Sequence, residues 1–339
     1  MNAVTVVVVA FGATPGLPDC VERLLGSVQV DVEIVVVDNG STDGTLGIVG
    51  ADDAVRIVDA GANAGFGAGC NRGVAESGRE FVAFVNPDVL VEPDALFLLV
   101  EEAARDDVGI ASASVRLLHE PELMNSAGGS IHFLGLGWAE GYRQPATSDI
   151  ASTDRDVIAA SGAAMAMRRD RFEELGGFTE QLFLYHEDAE LSFRCWLRGW
   201  TVRYVAGAVV LHDYEFGRNP RKLHLLERNR LVLVLTCYSS KLLAIVAPAL
   251  VVYEVGVLAL SVTQGWAGEK VGGWLWLVRN VRWLRRQRRL IQAGRRRPDR
   301  ELVSLLAARF TGGQVEMPKA IEPGDRLLGA YWRVASRWL

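Results

Sequence analysis

The chain carries a series of β-branched, apolar runs, each of which stops at a short polar cluster. Residues 4–10, but for Thr5, and 34–37 are apolar and of strand length, and residues 54–58, but for Arg56, and 81–85 repeat the pattern. A strand with no polar alternation is covered on both faces, as in a parallel sheet packed between helices. The intervening segments 18–28, 45–49 and 68–77 are long enough for crossover helices, so this part of the chain predicts a βαβαβ half-sheet. Residues 93–105 read as a helix with Pro93 near its start, where the missing amide donor is tolerated.

Residues 119–154 are glycine-rich and irregular, and are too long for an ordinary connector. Loops of that length are more often functional than idle. Residues 157–167 then read as a strand, 169–175 as a short helix closed by Gly176-Gly177, 188–198 as a helix closed by Gly199, and 202–211 as a strand. Residues 242–262 are almost wholly apolar, interrupted by Pro248 and by Glu254 near the centre. A membrane span requires about 20 such residues, but a central carboxylate is expensive in hydrocarbon. Trp266, Trp274, Trp276 and Trp283 follow, interleaved with arginines, which is the composition of an interfacial amphipathic helix. The segment therefore reads as a helical hairpin lying in the membrane face. A true span, or a helical cap with a solvated basic face, is the alternative.

Charge sharpens that picture. The formal net charge is −5, yet residues 265–300 alone carry +9, leaving −14 for the rest. An acidic body with a basic segment predicts an anionic surface as partner for the tail alone. Cys20, Cys70, Cys195 and Cys237 are too scattered for a zinc site or a disulfide framework and read as reduced core thiols. The first residues lack the basic region of a secretory signal, so the body is expected in the cytoplasm.

The polar clusters carry the candidate chemistry. Asp38, in Asp38-Asn39-Gly40-Ser41, can accept hydrogen bonds from a base or ribose, although the same tetrapeptide is an ordinary turn sequence. Phe11 ends the first strand at the same sheet edge and is placed to stack on a base. The loop from Asn63 to Gly73 lets backbone amides approach a diphosphate. Its spacing from Gly67 is Gly-x-Gly-x-x-x-Gly and it follows the third strand, which argues against a nicotinamide-dependent oxidoreductase. Asn86-Pro87-Asp88 sets two oxygen-bearing side chains at i and i+2 just past a buried strand. Such groups, with substrate phosphates, suit Mg²⁺, and Mn²⁺ would also accept the imidazole of His212. Glu187-Asp188 opens a helix, where acidic residues are also ordinary capping groups.

Taken in order, these residues resemble the inverting family 2 glycosyltransferases of the GT-A fold, over about residues 4–238. The resemblance rests on Asp38-Asn39-Gly40-Ser41, the Asn63-x-Gly65-x-Gly67 to Asn71-x-Gly73 loop, Asn86-Pro87-Asp88, Glu187-Asp188-x-Glu190-Leu191-Ser192-x-Arg194, and His212. The form Asn-Pro-Asp is most similar to the rhamnosyltransferase-like branch that builds bacterial cell-surface glycans. The resemblance implies a Rossmann-like mixed α/β sheet in a catalytic domain over residues 1–240, with a helical, partly basic, membrane-associating region over 241–339. It implies that Phe11, Asp38, Asn63, Gly65, Asn71, Asn86 and Asp88 bind the nucleotide sugar and that Asp88 and His212 hold Mg²⁺ or Mn²⁺. It makes Asp188 the catalytic base, with Glu187 in support. Asn86 stands where the family more often has Asp, so metal ligation falls to Asp88. Arg218, Lys222 and Arg228 follow His212 and are candidates for acceptor phosphates, with a solvated helix face as the alternative.

The expected activity is transfer of a sugar, such as L-rhamnose from a dTDP donor, onto a lipid-linked or cell-surface glycan acceptor. The expected location is the cytoplasmic face of the cell membrane, with peripheral attachment there and no nucleic acid partner. Two other classes share these features. A nucleotide- or glycan-binding pseudoenzyme would bind donor without turnover, against which the intact Asp88, Asp188 and His212 argue. A nucleotidyltransferase would release pyrophosphate instead of a nucleoside diphosphate.

Overall fold

The computed structural model describes residues 2–214, 221–311 and 322–339. The four apolar runs form β1 (Asn2–Gly12), β2 (Val30–Ser41), β3 (Val55–Asp59) and β4 (Phe81–Val85), joined in parallel in the order β3-β2-β1-β4. The crossovers are α1 (Leu17–Leu25), the short α2 (Thr45–Val49) and α3 (Phe66–Ala75). The half-sheet predicted from the apolar runs is therefore present. After β4 come β5 (Val89–Val91), α4 (Ala95–Ala103), β6 (Val108–Leu117) and β7 (Glu120–Ser126).

β6 is a central strand that the apolar pattern did not announce, because its Val-Gly-Ile-Ala-Ser-Ala-Ser sequence mixes small and polar residues. Its serines are satisfied internally: Ser114 Oγ accepts from the hydroxyl of buried Tyr204 at 2.8 Å and Ser112 Oγ from the amide of Ser161 at 3.0 Å. The stretch expected to be irregular is largely ordered, into β7, the antiparallel pair β8 (Gly129–Ile131) and β9 (Gly137–Ala139), and α5 (Asp149–Ser152). The strand expected over 157–167 is shorter. β10 (Arg155–Asp156) precedes it at the sheet edge, and regular pairing begins only with β11 (Ala164–Arg168), past Ser161-Gly162.

α6 (Arg169–Leu175), α7 (Glu187–Leu197) and β12 (Thr201–His212) complete a ten-stranded mixed sheet, eight strands of which run in the order β10-β12-β6-β11-β4-β1-β2-β3, with β7 attached antiparallel to β6 and β5 to β12. β11 is antiparallel to both β4 and β6, and β5 attaches antiparallel to the end of β12 with Val89 opposite His212. One face packs on α1 and α4. The other builds a core with α7 that continues into the C-terminal helices, through Val234, Leu242, Val246, Ile291 and Trp332. All four cysteines are buried free thiols within these cores.

The C-terminal helices are α8 (Lys222–Cys237), α9 (Ser240–Thr263), α10 (Ala267–Arg279), α11 (Val281–Ala293), α12 (Asp299–Val303) and α13 (Glu322–Ala335). α9 is long and apolar enough to cross a membrane, with a mean hydropathy of 2.3. Its single carboxylate, however, does not face outward. Glu254 pairs with Arg230 of α8 and, at 2.9 Å, with Lys270 of α10, and accepts from Trp274 Nε1 at 2.6 Å. Glu227 of α8 closes the group, 2.7 Å from Arg230 and also paired with Lys270. The opposite face of α9 exposes Ala244, Ala247, Val251, Val255, Ala259 and Val262, a continuous stripe at helical spacing.

This four-charge cluster generates two expectations. Burial pushes the Glu227 carboxyl up, but the Arg230 guanidinium and the Lys270 ammonium outweigh it and hold the pKa at about 2. An unfolded Glu titrates near 4.3. The pair's stabilisation is therefore complete above about pH 5 and is lost as the pH falls toward 2. Thermal unfolding followed across that range should show Tm dropping, and Glu227→Gln should flatten the drop while lowering Tm at pH 7. Arg230→Met leaves two buried carboxylates sharing Lys270 and should cost about 3–5 kcal/mol in urea unfolding.

Candidate functional site

The site begins where β1 and β2 end. The exposed ring of Phe11 lies against Gly40, and Asp38 Oδ1 accepts from the amides of Gly40 at 3.0 Å and Ser41 at 2.8 Å. Beneath them lies Asn39, buried, a residue that sequence reasoning treated only as part of a turn. Its Nδ2 donates to Asn63 Oδ1 at 3.1 Å and Gly65 O at 3.3 Å, and its Oδ1 accepts from Ala64 N at 2.9 Å. One amide side chain thus ties the glycine-rich loop to the edge that carries Phe11 and Asp38.

Gly65 has φ of +92°, and a Cβ there would fall 2.2 Å from the carbonyl oxygen of Phe183. No other residue permits that approach. Asn71, one turn into α3, is committed elsewhere: its side chain bonds the amide and carbonyl of Phe178 at 2.8 and 3.0 Å and Glu180 at 3.1 Å. It shapes the wall formed by residues 178–180. Phe11, Asp38, Asn63 and Gly65 share one edge of the sheet.

β4 delivers the second group. Asn86-Pro87-Asp88 turns the chain from β4 into β5, whose pairing with β12 brings Asp88 beside His212. Asp88 Oδ1 lies 3.3 Å from His212 Nε2. His212 Nδ1 lies 3.1 Å from Oδ1 of buried Asn125, and in the tautomer with the proton on Nδ1 the Nε2 lone pair would point to the Asp88 side. That arrangement, a ring oriented by a fixed acceptor on its far nitrogen, is what a metal-binding histidine requires. Asn125 was not anticipated, because it lies within the segment 119–154 that reads as loop. Among the described residues no three His, Cys, Asp or Glu side chains form a cage. The donor set fits a divalent ion that takes its remaining ligands from phosphates and water.

The acidic pair opens α7. Glu187 is buried and one of its oxygens lacks a partner. Burial first, and then the neighbouring Asp188, raise its pKa to about 8. Asp188 is also pushed up by burial, but its carboxylate accepts from Gly162 N at 2.9 Å and Ala189 N at 2.7 Å, both of which favour the charged form. The two environments differ: burial and the neighbouring Asp188 favour the protonated form of Glu187, whereas the Gly162 and Ala189 amides favour the anion of Asp188. Gly162 also joins the clusters, because the next residue, Ala163, accepts from the amide of Asn86 at 2.9 Å. The rest of the motif is scaffolding. Glu190 and Arg194 form a buried pair at 2.8 Å, and Arg194 holds the carbonyls of Leu175 and Gly177 at 2.6 and 2.7 Å.

The chain enters α7 through a contorted backbone. Phe183 (φ 66°, ψ −61°) centres a three-residue turn closed by Leu184 N to Leu182 O at 2.8 Å, and Tyr185 and His186 also have positive φ. Each non-glycine residue in that region carries strain on the order of 1 kcal/mol or more. Of the residues considered for the acceptor, Arg218 lies outside the described residues. Lys222 is half-buried between the rings of Tyr185 and Tyr214, 5.3 and 5.9 Å away, and burial lowers its pKa to about 8. Arg228 is buried and faces the protein, donating to the carbonyls of Gln181 and Leu182 at 3.1 and 2.7 Å.

Comparison with known proteins gives this geometry its family. The model for "Glycosyltransferase like family 2" matches residues 2–234. The chain is 31% identical over 252 residues, 65% of its length and 79% of the relative's, to an N-acetylglucosaminyl-diphospho-decaprenol L-rhamnosyltransferase of Mycobacterium tuberculosis. Among solved structures, a UDP complex of Staphylococcus aureus TarS aligns with a TM-score of 0.54 at 14% identity, over 99% of this chain and 89% of that one. A mannosyltransferase of Pyrobaculum calidifontis with GDP-Man and Mn²⁺ aligns with a TM-score of 0.52 at 17% identity, covering 98% and 85%. Those two likenesses speak to the fold alone. With the family match and the mixed sheet together, the chain belongs to the family 2 glycosyltransferases, in a rhamnosyltransferase-like branch, and has the GT-A fold.

Proposed function

We propose that this glycosyltransferase moves a deoxyhexose, L-rhamnose from a dTDP donor being the first choice, onto a polyprenyl-diphosphate-linked sugar, with inversion at the anomeric carbon. The observation that carries this reading is the continuity through Gly162-Ala163, which joins the Asn86–Asp88 turn to Asp188. The carboxylate read as the proton acceptor and the turn read as the diphosphate side are thereby both hydrogen-bonded to one short stretch of backbone. The acceptor class follows the name of the mycobacterial relative.

In the proposed mechanism the base and ribose lie on the edge formed by Phe11, Asp38 and Asn63. Asp88 and His212 would hold Mg²⁺ or Mn²⁺ against the diphosphate, where the ion neutralises charge on the leaving group. Asp188 takes the proton of the acceptor hydroxyl as it attacks the face opposite the nucleotide. Glu187, protonated, keeps negative charge from accumulating beside Asp188 and presents a hydrogen-bond donor to the acceptor. Lys222 borders the acceptor side and offers its ammonium to phosphate.

We place the protein on the cytoplasmic face of the membrane, attached through the outward stripe of α9, the exposed Val271, Leu275 and Val278 of α10, and the exposed arginines of α11. The proposed domain division at residue 240 is one of function. The core is shared across it, so a chain cut there would lose Leu242, Val246, Ile291 and Trp332 from that core.

Three outcomes follow. Asp188→Asn should lower transfer by about 10²–10⁴-fold while leaving donor affinity nearly unchanged. A donor screen that follows nucleoside diphosphate release in the presence of a polyprenyl-diphosphate sugar is the assay, and wild-type turnover in the variant would remove Asp188 from its role. Chelation with EDTA should stop turnover, Mg²⁺ or Mn²⁺ should restore it, and Asp88→Ala should abolish metal-dependent donor binding measured by calorimetry. In vesicle pelleting, the protein should bind anionic liposomes, and salt at about 1 M should release only part of it, because each basic residue contributes about 1 kcal/mol that is screened, while apolar burial is not. Val251→Glu with Val255→Glu should abolish the salt-resistant fraction. A wild-type protein that stays in the supernatant at low salt would make the tail a structural cap.

A further inference from the structure

The positive-φ residues ahead of α7 need an external hold. Phe183, Tyr185 and His186 have φ of 66°, 68° and 65°, and none is glycine. On one side the hold is the hydrogen bond from Phe66 N to Phe183 O at 2.8 Å, made possible by the bare Gly65. On the other side the carbonyls of this stretch converge on a single side chain of α8. Asn229 is fully buried, and its Nδ2 lies 2.9 Å from Leu182 O, 2.9 Å from Leu184 O and 2.6 Å from Tyr185 O.

The orientation of that amide is fixed. Arg228 Nε donates to Asn229 Oδ1 at 2.8 Å, which forces the NH₂ group toward the loop. The same guanidinium donates through Nη2 to Gln181 O and Leu182 O and lies 4.6 Å from the ring centre of Trp276 on α10. Two neighbouring residues therefore collect the carbonyls of residues 181, 182, 184 and 185, immediately before Glu187 and Asp188. Neither Arg228 nor Asn229 is bonded to Phe11, Asp38 or Asn63; the loop meets that edge only on its other side, at Gly65 and Phe66.

We propose that Asn229, oriented by Arg228, is a positioning residue for the acidic pair: it pins the 182–185 carbonyls so that α7 starts with Glu187 and Asp188 in their working orientation. This rests on the reading of that pair as the reacting acids. Its consequence is a separation of effects. Loosening the clamp displaces the acids while Phe11, Asp38 and Asn63, which neither clamp residue is bonded to, keep their places, and a displacement of about 1 Å is enough to cost roughly 10²-fold in rate.

The test uses the full chain with Asn229→Asp, which keeps the shape and the Arg228 contact but replaces the donor NH₂ by an acceptor. Arg228→Lys is the second variant, which keeps the charge and removes the donor that orients Asn229. Per folded molecule, kcat should fall about 10–100-fold in Asn229→Asp and in the same direction in Arg228→Lys, with the dissociation constant for the nucleotide-sugar donor within about twofold of wild type. Amide exchange by mass spectrometry should accelerate over residues 183–190 and stay unchanged over β1 to β4. The proposal is overturned by kcat within about twofold of wild type, by donor affinity falling in step with kcat, or by exchange rising throughout the chain. Should Asn229→Asp not fold, Arg228→Lys decides by the same criteria. A wild-type protein that transfers no sugar from any donor would sink the functional reading instead, and localised exchange would then still decide whether Asn229 is the clamp.

Discussion

Two carboxylates held side by side and out of water repel each other and resist ionisation, so the start of α7 requires support from elements far away in sequence. Part of that support is local. Gly162 and Ala189 donate amides to Asp188, and the positive end of the α7 dipole favours a negative charge in its first turn. Part is protonic, because Glu187, with a pKa of about 8, sheds its charge first. The remainder is mechanical. A backbone with three positive-φ residues does not stay in place unaided, and Gly65 and Asn229 grip it from opposite sides. The sharp turn and the close approach at Gly65 exist because of that grip.

α8 is where these demands meet. Over one turn, Glu227, Arg228, Asn229 and Arg230 point in two directions. Arg228 and Asn229 face the loop that leads to the acids, while Glu227 and Arg230, three residues apart, face α9 and α10. A single helical turn thereby joins the candidate catalytic pair to the apolar hairpin. Buried ion pairs are weak contributors to net stability, but they are strongly position-specific, since an unpaired partner is heavily penalised. The register of α8 against α9 and α10 is accordingly fixed, and with it the register of Asn229 against the loop.

How much of this was readable in advance follows from where the partners lie. β1 to β4 were legible because each carries a largely apolar, β-branched or aromatic run, and the motifs at their ends share one edge because parallel strands must place them there. β6 was not, because Ser112 and Ser114 disguise a buried strand. The 157–167 prediction overran at Ser161-Gly162, where the chain leaves the sheet to meet Asp188. Arg228 looked like a surface cation available to phosphate, and Asn229 gave no signal at all, because their partners are backbone carbonyls more than forty residues upstream. Asn125 was hidden in the same way: its meaning comes from His212, 87 residues further on.

Glu254 shows the same limit from the other direction. Within the sequence it is a carboxylate in the middle of an apolar segment and reads as a cost against membrane insertion. In the fold its charge is matched by Arg230 and Lys270, so the helix has a polar inner face and an outer face made only of small and apolar side chains. Drawing α9 across a bilayer would separate Glu254 from both cations and leave Arg230 and Lys270, each about 1% exposed, sharing Glu227 alone. Lying along the surface demands no such separation. The apolar stripe enters the interface while the paired charges remain inside the protein, and the exposed Arg282, Arg285, Arg286 and Arg289 of α11 are the ones left to meet lipid headgroups. For the proposed membrane attachment, the buried cluster therefore selects the in-plane arrangement over the span, through the charges it would leave unpaired.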